Sequence, residues 1–237
     1  MKKTAIPTSP RSTRREAAEL KSKDGHATLM AEAYARLEEM IVTLELAPGE
    51  VVSEAILSNQ IGIGTTPIRE ALHRLSREYL VQIIPRRGVV VTTLDVRLQL
   101  EVLETRRELD RLLASAAARR ATHVDKAAFH ELLNPTQKAA SAHNVREFLR
   151  LDVQLNTLLA RAARNSVAAS TVSTLHAVSR RFWCFHADPK VHLPETARRH
   201  LDVIRAVAAG KGVEAGEASD RLLDYLVDFS RQTLPQD

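Results

Sequence analysis

Beyond Leu94 the chain loses every strand signal. Six stretches keep apolar side chains at helical spacing, approximately residues 95–121, 125–142, 144–163, 167–186, 193–209 and 213–233. The breaks between them fall at His123, His143-Asn144, Asn165, Asp188-Pro189 and Gly210/Gly212. Pro135 stands inside the second stretch, where its missing N–H would kink or break a helix. A helix with one apolar stripe must bury that stripe against a neighbour, so six in succession predict an all-α bundle over residues 94–237. The abundance of Ala, Leu, Arg and Glu, with aromatics at only 4%, agrees with a mainly α protein.

The punctuation before Leu94 is different. Met30, Leu37, Ile41 and Leu44 lie roughly on one helical face, and Pro48-Gly49 is expected to end that helix. Ser53 is suited to cap a short helix, "SEAILSNQI", that stops at Gly62. A third helix begins at "TTP", with Thr66 as the expected N-cap and Pro67 at the first helical position, and runs to about Tyr79. "LVQIIPRRGVVVTTL" follows, two β-branched runs around Pro85-Arg86-Arg87-Gly88, which reads as a hairpin with a basic tip. Three helices and a hairpin make a winged helix-turn-helix over residues 28–93, the hairpin being its wing. Residues 1–27 are polar, with seven basic side chains against three acidic ones, and read as a disordered basic tail. An arm adding phosphate contacts is the sharper reading of the same residues.

The formal net charge of +5 permits a nucleic-acid partner without establishing one. Residues 28–93 carry six basic and eight acidic side chains, so positive charge there is local rather than general. On the third helix Ile68, Leu72, Leu75 and Tyr79 share the inward face, while Arg69, His73 and Arg77 share another. A major groove admits one helix, whose N-terminal part reaches base edges. Arg69 can there span O6 and N7 of guanine, and Thr65 and Thr66 can reach a phosphate or a thymine methyl. Arg86 and Arg87, beside Gly88 at the hairpin tip, can follow a phosphate backbone or enter the minor groove.

The segment "LAPGEVVSEAILSNQIGIGTTPIREALHRLSREYLVQIIPRRGVVV" resembles the N-terminal domain of GntR-family transcription regulators. Those proteins carry a PGE-x-L-x-E element, a T-P-x-R-E-A-L-x-R-L recognition helix and an R-R-G wing. The resemblance implies that Thr66, Arg69, Arg87 and Gly88 touch double-stranded operator DNA. It also marks a departure: the family usually has Arg where this chain has Thr65, which makes no bidentate contact. The rest of the chain resembles, more loosely, the FCD ligand-sensing domain of the FadR subfamily, through "VLETRRELDRLLASAAAR", "LDVQLNTLLARAARN" and "RRHLDVIRAVAAG".

Polar residues on the apolar stripes of the bundle need an explanation of their own. Arg106 interrupts Val102, Leu109 and Leu113; Asp152 and Asn156 interrupt Val145, Leu149, Leu159 and Ala163; His200 interrupts Ala197, Ile204 and Ala208. A buried charge is costly unless paired, so four such groups point to one shared polar cavity. Three uses stay open: a metal-free network, a divalent-metal site on Asp152, Asn156 and His200, or a pocket in which Arg106 forms a fork to an effector carboxylate. The FCD resemblance implies a metal held by an Asp, a His four residues later, and a His on each of two later helices. Asp152 and His200 match. The second position is Asn156 and the last falls near Leu222, so Zn or Ni is expected to bind weakly or not at all. His176, on a stripe with Val172 and Ser179, is a substitute ligand or a core histidine. "RRFWCFH", Arg180 to His186, supplies core packing or an aromatic wall.

The single Cys184 excludes an internal disulfide and fits a reducing compartment, and no apolar run approaches the roughly 18 residues of a membrane span. The expectation is a cytoplasmic homodimeric repressor, not an enzyme, that binds a pseudo-palindromic operator and responds to a small carboxylate. A metal-dependent enzyme built on Asp152, Asn156 and His200 is the rival from another class. It lacks any nucleophile–base pair, phosphate loop or HExxH-type motif. A sensor without DNA binding is the second rival, motivated by Thr65 and the acidic balance of residues 28–93.

Overall fold

The computed structural model describes residues 28–234, so the expectations for the basic tail lie outside the described residues. The first helix, α1, covers residues 28–42 and buries Ala33, Leu37 and Ile41. It ends before Pro48-Gly49 rather than at it. Leu44, expected on the helical face, instead turns the chain with a left-handed φ of 65°. A strand that the sequence reading did not include, β1 (Val51–Val52), comes next. Helix α2 (Glu54–Ile61) is capped by the Ser53 side chain, which accepts from the Ile56 amide at 3.2 Å, and closes on left-handed Gly62, φ 76°.

Helix α3 (Thr65–Arg77) starts one residue earlier than expected, with Gly64 as N-cap and Thr65 as its first residue. Pro67 therefore sits in the third helical position, still within the first turn, where its missing N–H leaves no bond unmade. Strands β2 (Val81–Ile84) and β3 (Gly88–Val91) form the antiparallel wing, and β1 adds to β3 to give the order β1-β3-β2. Val52 faces Val89 across that added edge. A Cβ on Gly88, φ 101°, would stand 2.9 Å from the Val52 carbonyl oxygen, so glycine is required where the end of β1 meets the tip end of β3.

Six bundle helices follow among the described residues: α4 (Val96–Arg120), α5 (His123–Ser141), α6 (Val145–Ala163), α7 (Ser166–His186), α8 (Pro189–Ala208) and α9 (Gly212–Gln232). Three of the expected breaks hold caps, whereas His123 and Gly212 are the first residues of α5 and α9. Thr122 and Asp125 form a capping box on α5, and Asn144 and Asn165 accept from the third amides of α6 and α7. Asp188 caps α8 with Pro189 in its first turn, so α8 starts about one turn earlier than the apolar spacing indicated. Pro135 does not break α5, which runs through it to Ser141.

Helix α4 is the hub. It packs against α9, α6 and α7, while α5 lies on α6 and α8. Its run Ala114, Ala116, Ala117 and Ala118 is buried, and side chains this small let neighbouring helices approach closely. The two domains are not separated by open linker. Leu149 of α6 and Ala177 of α7 join the core formed by Leu37, Ile41, Leu57 and Leu72. Thus α1 belongs to the DNA-binding fold yet rests on the bundle.

Candidate functional site

The N-terminal domain presents one polar face. Thr65, Thr66, Arg69 and His73 are exposed on α3, and Arg86 and Arg87 are exposed at the wing tip, where Arg86 takes a left-handed φ of 64°. The structure thus gathers the sequence-derived residues on α3 and the wing. Arg69 is not free. Its guanidinium lies on the Glu54 carboxylate of α2, with Nη2 2.7 Å from Oε2 and Nε 3.0 Å from Oε1. The hydrogen bond from Arg69 holds the Glu54 carboxyl below its ordinary range. Glu54 therefore aims Arg69, a partnership that the spacing within α3 alone does not reveal. Arg74 turns the other way. It stacks 3.7 Å above the Tyr34 ring and bonds Glu78 at 3.0 Å, so it braces α1 against α3 rather than facing outward.

The polar stripes of the bundle converge as expected, with different pairings. Asp152, Asn156 and His200 meet. His200 Nε2 and Asn156 Nδ2 both lie 3.1 Å from Asp152 Oδ1. The other ring nitrogen of His200 is 2.7 Å from the Thr196 carbonyl oxygen. Arg106 lines the same cavity but pairs within α4, its Nε 3.0 Å from Asp110 Oδ2. His176 closes that second cluster at 2.9 Å from Asp110 Oδ1. The cation on Asp152 is instead Arg180 of α7, with Nη1 3.2 Å from Oδ2. Both added charges follow helical spacing, since Asp110 is four residues after Arg106 and Arg180 four after His176. That signal was present in the sequence.

Burial pushes the Asp152 carboxyl up, but the His200 hydrogen bond and the charges of Arg180 and His200 outweigh it and hold it well below the carboxylate range. Asp110 behaves alike: burial raises it, and Arg106 and His176 bring it below its ordinary value. Arg106, Asp152, His176, Arg180 and His200 line one cavity of about 400 Å³ including its mouth, while Asp110 and Asn156 lie outside that lining. The aromatic cluster divides three ways. Phe182 is core, Phe185 is exposed, and Trp183 lines the cavity beside Phe148, whose ring meets His200 edge-on at 5.1 Å. The Trp183 indole N–H is buried without a hydrogen-bond acceptor.

A transition metal does not fit this donor set. Asp152 and His200 are close enough to share one, but Asn156 turns its amide nitrogen toward the carboxylate. Leu222 is buried and has no donor atom, and the Arg180 guanidinium already neutralises Asp152. Among the described residues, no three His, Cys, Asp or Glu side chains gather as ligands.

Residues 29–91 match the profile of the bacterial regulatory proteins of the gntR family, and residues 101–225 match the FCD domain. The HTH-type transcriptional repressor RspR of Escherichia coli is 28% identical over 202 residues, 84% of this chain and 87% of that one. An uncharacterized HTH-type transcriptional regulator of Streptomyces ambofaciens is 45% identical over 62 residues, 26% of either chain. Among solved structures, E. coli McbR/YncC superposes with a TM-score of 0.75 at 19% identity, covering 86% of this chain and 97% of that one. A GntR regulator from Rhodococcus sp. RHA1 gives 0.70 at 18%, covering 87% and 99%. These two likenesses are of fold. The relatives are regulators rather than enzymes, and among the described residues no helix is long and apolar enough to cross a membrane. With an FCD domain over more than half of its length, behind a gntR-type helix-turn-helix, the chain belongs to the GntR family of DNA-binding transcription regulators.

Proposed function

We propose that the chain acts in the cytoplasm as a homodimeric repressor, released from or retained on a pseudo-palindromic operator by a small carboxylate. One observation carries the choice of ligand: the cavity has more donors than free acceptors. Asp152 already receives His200, Asn156 and Arg180, and Asp110 receives Arg106 and His176. The Trp183 N–H has no acceptor at all. An occupant that supplies oxygen acceptors and negative charge suits such a lining; a cationic one does not. In this reading Arg106, Asp152, Asn156 and His200 belong to the effector site, and the site works without Zn or Ni. Thr65, Thr66, Arg69, His73, Arg86, Arg87 and Gly88 face DNA, with Arg69 on a base edge and the wing along the backbone. The repressor role is supported by the name of the E. coli relative RspR, and the two-fold dimer by the geometry of helix-turn-helix readout, in which two recognition helices lie one helical turn apart.

Selection from random duplex DNA tests the DNA half, with sedimentation of the protein alone and on the selected duplex. An inverted repeat bound by two chains is expected. A monomer, or the absence of any enriched motif, would remove the dimeric-operator reading.

A further inference from the structure

Arg180 and Arg181 of α7 both leave the bundle and grip the DNA-binding domain, in different ways. Arg181 holds Thr92 at the exit of the wing. Arg180 is divided. Nη1 faces the cavity on Asp152 Oδ2, while Nη2 lies on the Glu38 carboxylate of α1. One guanidinium, its side chain 11% exposed, thus serves two carboxylates on two domains. Burial alone would lower its basicity, but Asp152 and Glu38 together outweigh burial and raise it.

The cavity's carboxylate, Asp152, already holds Arg180 and His200, so an entering carboxylate needs a cation that can turn toward it. Arg106 is poorly placed to move: Asp110, on its own helix, binds it through both Nε and Nη2 and is itself held by His176. Arg180 makes one contact at each end, and those ends belong to separate domains. Trp183, with its unused N–H, follows three residues later on the same face of α7.

Building on the carboxylate reading above, we infer that Arg180 and the Trp183 indole N–H receive the ligand's carboxylate, and that doing so draws the guanidinium off Glu38. Ligand and Glu38 then compete for one cation. The winner sets whether α1 stays fastened to α6 and α7, and α1 packs in the core that supports α3. Arg180 would then join the ligand to the bundle and link it directly to the DNA-binding domain.

Thermodynamic reciprocity makes this testable without an operator: whatever weakens the ligand's competitor must strengthen the ligand. The full chain is titrated with acetate, lactate, succinate and citrate, by calorimetry and by thermal shift. For the carboxylates that bind, Glu38→Gln is expected to tighten binding at least roughly fivefold, and Trp183→Phe to weaken it. Glu39→Gln is the control. It removes the same charge one residue away, and with it the exposed Arg146–Glu39 contact between the same two domains, but does not touch Arg180. Its affinity is expected to be that of the parent. Hydrogen exchange of residues 28–42 is expected to quicken when ligand is added to the parent and to be insensitive to it in Glu38→Gln. Equal affinity of parent and Glu38→Gln, weaker binding by Glu38→Gln, or the same gain in Glu39→Gln overturns the competition and leaves the carboxylate site standing. Failure of all four carboxylates to bind any of these proteins overturns both.

Discussion

The guanidinium of Arg181 closes on Thr92, its Nη1 2.8 Å from the hydroxyl oxygen and its Nη2 on the carbonyl. Thr92 leaves the wing, and its own hydroxyl donates to the Tyr79 carbonyl at 2.7 Å, so one buried cation fixes the end of the sheet three residues before the cap of α4. Burial pulls Arg181 down to about 10, and its Nε has no partner. A buried cation with an unsatisfied nitrogen persists only where its other bonds hold the chain in place.

Arg181→Met should therefore loosen the joint rather than the bundle. Two charge-assisted hydrogen bonds are lost, costing about 2 kcal/mol, and the methionine stem retains most of the packing. Hydrogen exchange should quicken at residues 80–95 and remain as in the parent within α5 and α8. Uniform quickening through the bundle would show that Arg181 supports the whole fold instead.

Arg69→Ala should weaken binding to a selected operator by about 1–3 kcal/mol and relax one base position, because a bidentate contact to a base edge is lost. Glu54→Gln keeps Arg69 but removes the carboxylate that aims it; the expected result is a smaller loss of discrimination at that same position. Anisotropy titrations at fixed salt on matched and single-mismatch duplexes check both. Affinities equal to the parent on every duplex would take Arg69 off the base edge.

Acid should expose the Asp110 cluster. Its folded carboxyl lies below the ordinary value of 3.8, so its contribution to stability is complete above that pH and is lost as the pH falls through the lower folded value. Asp110→Asn, which leaves Arg106 buried without its counter-charge, should cost about 3 kcal/mol at neutral pH. The gap between parent and variant in urea unfolding should narrow only below about pH 4. A gap that is constant down to pH 3 would mean that the ion pair does not set it.

Addition of Zn²⁺ or Ni²⁺ should leave the melting temperature unchanged at concentrations that saturate a site with three protein ligands, since Asn156 and Leu222 supply no imidazole and Arg180 already occupies Asp152. A rise of several degrees that Asp152→Asn abolishes would restore the metal reading.

Much of this was legible in local patterns. The outward face of α3 and the basic wing tip followed from period and turn chemistry, but Tyr79, expected on the inward face, lies beyond the helix end and is exposed, with a left-handed φ of 62°; the six bundle helices followed from their apolar stripes. β1 was not legible, because two residues carry no period; it exists through its pairing with Val89 and Val90. The starts of α3 and α8 were missed because Gly64 and Asp188, rather than Thr66 or the first apolar stripe residue, act as caps. In the cavity the stripe-breaking residues Arg106, Asp152, Asn156 and His200 were visible, and Asp110 stood at helical spacing from Arg106, but the pairing of Arg180 with Asp152 was not. Arg180 sits in a motif whose aromatics drew attention, and its double role depends on Glu38, 142 positions away. Pairings across that distance are set by packing, which no helical period encodes.

One titration tests the coupling of cavity to operator most directly: the affinity of the full chain for its selected operator, measured by anisotropy at fixed salt as a cavity-binding carboxylate is added. The predicted result is a change in operator affinity of at least roughly fivefold that saturates with the ligand and disappears in Glu38→Gln. Operator affinity that stays constant while the ligand demonstrably occupies the cavity would contradict it.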